Sequence, residues 1–162
     1  MVREEVLQKI WEAQDESYAL MSEYDSLPHH YGEDTLYQAE GDIVNLIAAH
    51  PGITVTDLGE ILKRTVSACS QIVRKLRAKG LVEQTRNPEN NRLYNLALTE
   101  SGRKVYEARH AFNLECQAIT FQLLEDFTEE ELEAHLRVQQ ALNQAYQGDI
   151  RRSREAMKKE QR

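Results

Sequence analysis

Thr65, Ser67, Ala68, Ser70 and Gln71, followed by Arg74 and Lys75, give one side of a short amphipathic stretch small hydrogen-bonding groups at its start and cations towards its end. Such a face suits a polyanion whose edges must also be read. Serine and glutamine hydrogen-bond to bases or phosphates, glutamine matches adenine, and arginine and lysine meet phosphate charge. Small side chains at the start let the backbone approach closely. Downstream, Arg86 and Arg92 bracket a turn, and an arginine at a hairpin tip can enter a narrow minor groove, where negative potential is focused. No catalytic constellation accompanies them. The chain has no P-loop, no GxGxxG, no GxSxG, no HExxH and no CxxC, so it is expected not to be an enzyme and to need no cofactor.

Charge sign is segregated along the chain. The 162 residues carry a net charge of −7, yet residues 63–104 hold ten Lys and Arg against three acids, and the remainder holds ten against 24. A phosphate surface feels the local field within about 8–10 Å at physiological salt, so the local excess matters more than the total. The expected partner is double-stranded DNA. A module for protein contact is the rival, suited to the acidic flanks.

The elements that must position this face are marked by capping residues. Thr54 opens a helix with Asp57 as its partner, and Leu58, Ile61 and Leu62 are expected on its inner side. Thr65 caps the next helix, residues 66–79, with Val66, Cys69, Ile72, Val73 and Leu76 inward and Lys79-Gly80 as its stop. Residues 81–86 and 92–98 read as two strands around the turn Asn87-Pro88-Glu89-Asn90-Asn91, and Ile53 as a minimal strand. Thr99 caps a long helix over residues 100–126, and Thr128 with Glu131 opens a last one reaching about Lys159. Upstream, residues 2–27 and 35–50 have helical spacing, with a loop at residues 27–34 set by Pro28 and Gly32. The fold class is mostly α: about six helices plus a small β-hairpin wing. The long end helices carry apolar stripes that need a second surface, and a homodimer supplies one.

No apolar run approaches the ~20 residues of a membrane span, and the acidic start lacks a secretory pattern. Cys69 and Cys116 do not make a disulfide framework. The expectation is a cytoplasmic protein with two thiols and no membrane partner.

The segments 54–62 (TVTDLGEIL), 65–82 (TVSACSQIVRKLRAKGLV), 87–92 (NPENNR) and 98–103 (LTESGR) resemble the MarR family of winged-helix transcriptional regulators. The "KGLV" turn and the "LTESGR" helix start are the most specific pieces. The resemblance implies one domain over residues 1–162, a winged-helix lobe at 35–104, and dimerisation helices at 1–27 and 105–160. It also implies a homodimer on a pseudo-palindromic operator, usually a repressor relieved by a small-molecule signal of unknown identity. The wing departs from the family's Asp-Pro-x-Asp-Arg-Arg: both aspartates are asparagines (Asn87, Asn90), and the first arginine is Asn91. An Asn90–Arg92 hydrogen bond would have to replace the usual ion pair. Family effector crevices would be lined here by Trp11, Tyr18, Tyr37, Tyr106 and Phe112. A zinc-type variant would draw ligands from His29, His30, Asp42 and His110, since imidazole and carboxylate suit zinc. A redox variant would use Cys69 or Cys116.

Overall fold

The computed structural model describes residues 2–88, 90 and 93–160, the last of them by its backbone. Among these the chain forms α1 (Arg3–Ser26), β1 (His29–Tyr31), β2 (Asp34–Leu36), α2 (Gln38–Ala49), α3 (Val55–Leu62), α4 (Val66–Ala78), β3 (Val82–Arg86), β4 (Tyr94–Leu98), α5 (Glu100–Leu123) and α6 (Glu129–Glu160). The mostly helical class with a β-wing is as expected. Two compact units divide the chain, Met1–Leu114 and Glu115–Arg162.

The first unit holds the core. Leu36, Ile43, Val44, Leu58, Cys69, Val73, Leu76, Leu81 and Leu96 are all buried, drawn from β2, α2, α3, α4, the α4–β3 turn and the wing. Each large aliphatic side chain sequestered this way contributes about 1.5–3 kcal/mol of transfer free energy.

Local chemistry sets where each helix starts. Asp57 Oδ2 accepts from the Thr54 N–H and hydroxyl, each at 2.8 Å, while Thr54 Oγ1 accepts from the Asp57 N–H at 3.3 Å. The Thr54 backbone bond and then its hydroxyl bond hold the Asp57 carboxyl below its ordinary value. A lowered folded-state pKa gives stability that is present above the unfolded value and is lost as pH falls through the folded one. Asp57→Ala should therefore cost about 0.3–1.5 kcal/mol at neutral pH, towards the low end because the carboxylate is exposed. The gap to the parent should close as the medium is acidified through that lowered pKa. Urea unfolding at neutral and acid pH measures it.

The turn between α3 and α4 is tight. The N–H groups of Lys63 and Arg64 both reach back to the Gly59 carbonyl, and Lys63 sits at φ 54. This is a left-handed helix cap, a place usually held by glycine, and it costs an L-residue about 1–2 kcal/mol. Thr65 then starts α4, its Oγ1 accepting from the Ala68 N–H at 3.2 Å. Cys69, Val73 and Leu76 form the buried stripe of α4. Gly80, at φ 74, follows its end.

The wing is an antiparallel pair running from Val82↔Leu98 to Arg86↔Tyr94. The expected strand at Ile53 is reduced to one bond, the Leu96 N–H donating to the Ile53 carbonyl at 2.9 Å. Thr99 Oγ1 accepts from the Gly102 N–H at 3.0 Å and starts α5. Gly102 lies so near the Leu81 carbonyl that a Cβ there would collide with it.

Three expectations need correction. Residues 27–34 are not simply a loop, because β1 and β2 pair from His29↔Leu36 to Tyr31↔Asp34 around Gly32-Glu33. Gly32 takes φ 67, as the first position of a two-residue II′ hairpin turn requires. Thr35 and Leu36 thus belong to β2, and α2 begins only at Gln38. Finally, Ile61 and Val66 are not inner-face residues: each is 49% exposed. In the two-turn α3, Leu58 and Leu62 face the core at i, i+4, and Ile61 falls to their side.

α1 contains no buried residue and exposes Val6, Leu7, Trp11, Leu20 and Met21. In the second unit, α6 starts where Glu131 Oε2 accepts from the Thr128 N–H and hydroxyl, bonds that hold the Glu131 carboxyl below its ordinary value. Leu132, Leu136, Val138, Tyr146 and Ile150 of α6 are exposed. No helix among the described residues is long and apolar enough to cross a membrane.

Candidate nucleic-acid interface

The buried stripe of α4 leaves its opposite side to solvent. Thr65, Ser67, Gln71, Arg74 and Lys75 are exposed, while Ala68 and Ser70 are half-buried at the flank. The first turn of α4 has no acidic residue and its last turn carries Lys75 and Arg77. The positive end of the helix dipole is therefore not neutralised locally, and the N-terminal N–H groups favour an anion. Arg86 closes β3 and is exposed. Arg92, the proposed minor-groove residue, lies outside the described residues, and so does the expected Asn90–Arg92 bond.

The described base of the wing is braced differently. The Asn87 amide donates to Asn95 Oδ1 at 2.9 Å, and Asn87 Oδ1 accepts from the Asn90 N–H at 3.0 Å. The Asn87 N–H donates to the Leu93 carbonyl at 3.0 Å. One asparagine uses both halves of its amide here. An aspartate could only accept.

Geometry also sorts the basic residues. Lys79 Nζ donates to the Thr35 carbonyl at 2.9 Å and to both Glu40 oxygens at 3.1 and 3.0 Å. Arg103 donates to the Leu98 carbonyl at 3.0 Å, and Lys104 pairs with Glu100 at 3.1 Å. Lys79 and Arg103 are committed to the fold, while the Lys104–Glu100 pair is exposed on α5. Lys63, Arg64, Arg74, Lys75, Arg77 and Arg86 are exposed and make no side-chain ion pair or hydrogen bond among the described residues. Lys63 and Arg64 did not stand out in sequence, because nothing local marks a helix–helix turn as part of a reading surface.

Two ion pairs anchor the base of α2. Glu40, buried, accepts from the Tyr37 N–H at 3.0 Å as well as from Lys79, so α2 holds the C-terminal end of α4. Asp42 pairs with Arg109 Nη2 of α5 at 2.9 Å. Arg109 is 2% exposed, and its Nε has no hydrogen-bond partner among the described residues. Gly41 makes room for that guanidinium, since a Cβ there would overlap it.

The candidate effector residues are not brought into one place. Trp11 and Tyr18 are exposed on α1, and Tyr37 is exposed at the start of α2. Phe112 packs edge-on against Tyr31 with centroids 5.9 Å apart. Tyr106 alone of the five lines a cavity of about 350 Å³, together with Ile47, Pro51, Leu96, Leu98, Arg103 and Glu107.

The candidate metal ligands are not brought together in this arrangement. His29 Nε2 lies 3.1 Å from the Tyr24 carbonyl, and His30 Nδ1 lies 2.9 Å from Thr35 Oγ1. Asp42 is held by Arg109, and His110 stacks on Tyr106. Among the described residues no three His, Cys, Asp or Glu side chains converge as metal ligands. As for thiols, Cys69 is fully buried and burial pushes its pKa up, against a smaller lowering by Arg64, which keeps it protonated. Cys116 is exposed on α5.

A three-helix lobe ending in a two-stranded wing, with the second helix of its helix-turn-helix presenting a polar and cationic side, defines a winged-helix protein. Residues 37–93 match the model of the MarR family. No curated protein matches the sequence. Among solved structures, the chain is similar to the zinc-responsive MarR family member ZitR of Lactococcus lactis, at 18% identity over 87% of this chain and 99% of that one, with a TM-score of 0.74. It is also similar to Streptococcus pneumoniae FabT in complex with DNA, at 22% identity over 88% and 98%, TM-score 0.69. A further likeness is to the adhesin competence repressor AdcR of Streptococcus pyogenes, at 18% identity over 86% and 97%, TM-score 0.63. The fold is that of MarR family transcription regulators.

Proposed function

We propose that this chain is a DNA-binding transcription regulator that acts as a homodimeric repressor on a pseudo-palindromic operator in the cytoplasm. The observation that carries the reading is the exposed face of α4. Small polar groups sit at its positive end, and six uncommitted cations run from the α3–α4 turn through α4 to β3. Thr65, Ser67, Ala68, Ser70 and Gln71 face the base edges, while Arg74, Lys75 and Arg86 meet phosphates. Arg92 is assigned the minor groove beside them. A neighbour of the same fold is crystallised with DNA, which supports the same use.

Release of DNA by a small molecule is assigned to the cavity beside Tyr106. Its apolar walls, with Arg103 and Glu107 among its lining residues, suit a compact amphipathic compound. Zinc response, as in ZitR, is the second reading, because no three of the candidate ligands are grouped among the described residues.

Fluorescence anisotropy with a duplex from the chain's own upstream region, and with a scrambled duplex, tests the reading at two salt concentrations. Binding should weaken steeply with salt, by a logarithmic slope of about 0.9 for each phosphate contacted. Failure to bind either duplex at low salt would instead favour a protein-interaction module.

Dimerisation is expected through the end helices, which leave Leu7, Trp11, Leu136 and Ile150 exposed. Deleting residues 2–27 should convert the sedimentation mass from dimer towards monomer. A persistent dimer would place the interface elsewhere.

A further inference from the structure

We propose that Lys63, in the turn between α3 and α4, is a DNA-backbone contact kept at a position whose backbone geometry would favour glycine; this rests on the DNA-binding reading above. Lys63 is the one non-glycine with positive φ among the described residues, at φ 54. Its N–H and that of Arg64 close the end of α3 on the Gly59 carbonyl. That pattern asks only for a residue that tolerates the left-handed region, and glycine or asparagine does so most readily. Lysine brings no local hydrogen bond to the cap.

Nor does the side chain serve the fold. Lys63 is exposed and makes no side-chain ion pair or hydrogen bond among the described residues. It contrasts with Lys79, a cation of the same segment tied to Glu40 and the Thr35 carbonyl. Residues held in sparsely populated backbone regions cluster where function holds them. What lysine adds here is a mobile point charge, the kind that meets a phosphate oxygen. The placement agrees: Lys63 precedes the α4 cap Thr65 by two residues, so their Cα atoms lie within about 7 Å. An N-terminal end of α4 that enters the major groove carries Lys63 to the groove's edge, where the sugar-phosphate backbone runs. Arg64 extends the same charge.

Three substitutions separate charge from backbone strain: Lys63→Gly, Lys63→Gln and Lys63→Arg. Each is compared with the parent full-length chain, by thermal unfolding and by anisotropy with two duplexes of about four helical turns, long enough for two half-sites one turn apart. One duplex comes from the region upstream of the coding sequence and the other is its scrambled counterpart. Lys63→Gly should raise the unfolding midpoint yet weaken binding to both duplexes alike. Its slope of log affinity against log salt should fall by about one for each bound protomer. Lys63→Gln should show the same change in slope with a midpoint near the parent's, and Lys63→Arg should keep the parent's slope. If Lys63→Gly and Lys63→Gln bind with the parent's affinity and slope, the contact is refuted while the DNA-binding reading stands. If the parent itself binds neither duplex, both readings fall together. A lowered midpoint for Lys63→Gly would overturn the claim of strain, with Lys63→Gln still deciding the contact.

Discussion

Asp42→Ala should destabilise the chain by about 3 kcal/mol, whereas Arg109→Met, which removes the other half of the same ion pair, should cost about 1 kcal/mol or less. The asymmetry follows from burial. The Arg109 side chain is 3% exposed and the Asp42 side chain 38%. Without Asp42, a buried guanidinium whose Nε has no partner among the described residues keeps its charge with nothing to offset it. Without Arg109, the carboxylate turns to water, and methionine fills the vacated space. Asp42 has one further contact, the Gln38 amide at 3.3 Å, too weak to change the ranking. A loss of 3 kcal/mol corresponds to roughly 6–12 °C in melting midpoint for a chain of this size. Urea and thermal unfolding of both variants measure the difference, and equal losses would mean that the guanidinium reaches water.

Gln71→Ala and Arg74→Ala should differ in kind. A side chain that reads a base contributes about 1–3 kcal/mol of discrimination, so Gln71→Ala should weaken cognate binding roughly 5- to 150-fold and leave scrambled DNA nearly unaffected. Arg74→Ala should weaken both duplexes similarly and reduce the salt slope by about one per protomer. Arg92→Ala belongs in the second class. Competition between cognate and scrambled duplexes separates the two behaviours. Cognate binding by both variants like the parent's would show that α4 presents the wrong side.

Much of the lobe was legible because its signals are local. Thr54 with Asp57, Thr65, Thr99, and Thr128 with Glu131 each mark a helix start within four residues, and each makes the expected bonds. The hairpin β1–β2 was missed because three-residue strands are too short to show alternation. Its one cue was Gly32-Glu33, a glycine-first pair of the kind II′ turns use. Ile61 and Val66 were misplaced because periodicity alone treats every apolar residue near a stripe as inward. Arg109 was invisible for another reason. Its burial depends on Gly41 and Asp42, 67 residues away from it for the ion pair, and no window along the chain connects them. The same holds for Lys79, which reads as one more cation until Glu40 is placed beside it.

The amide brace at Asn87 has a consequence for every titration suggested above. A hairpin propped by opposite charges would loosen as counter-ions accumulate and as carboxylates protonate. The Asn87–Asn95 and Asn87–Asn90 bonds are neutral, so neither added electrolyte nor mild acid competes for them. The described stem of the wing should therefore hold one shape across the conditions in which affinity is measured. A loss of affinity with salt would then not come from a softening of that stem.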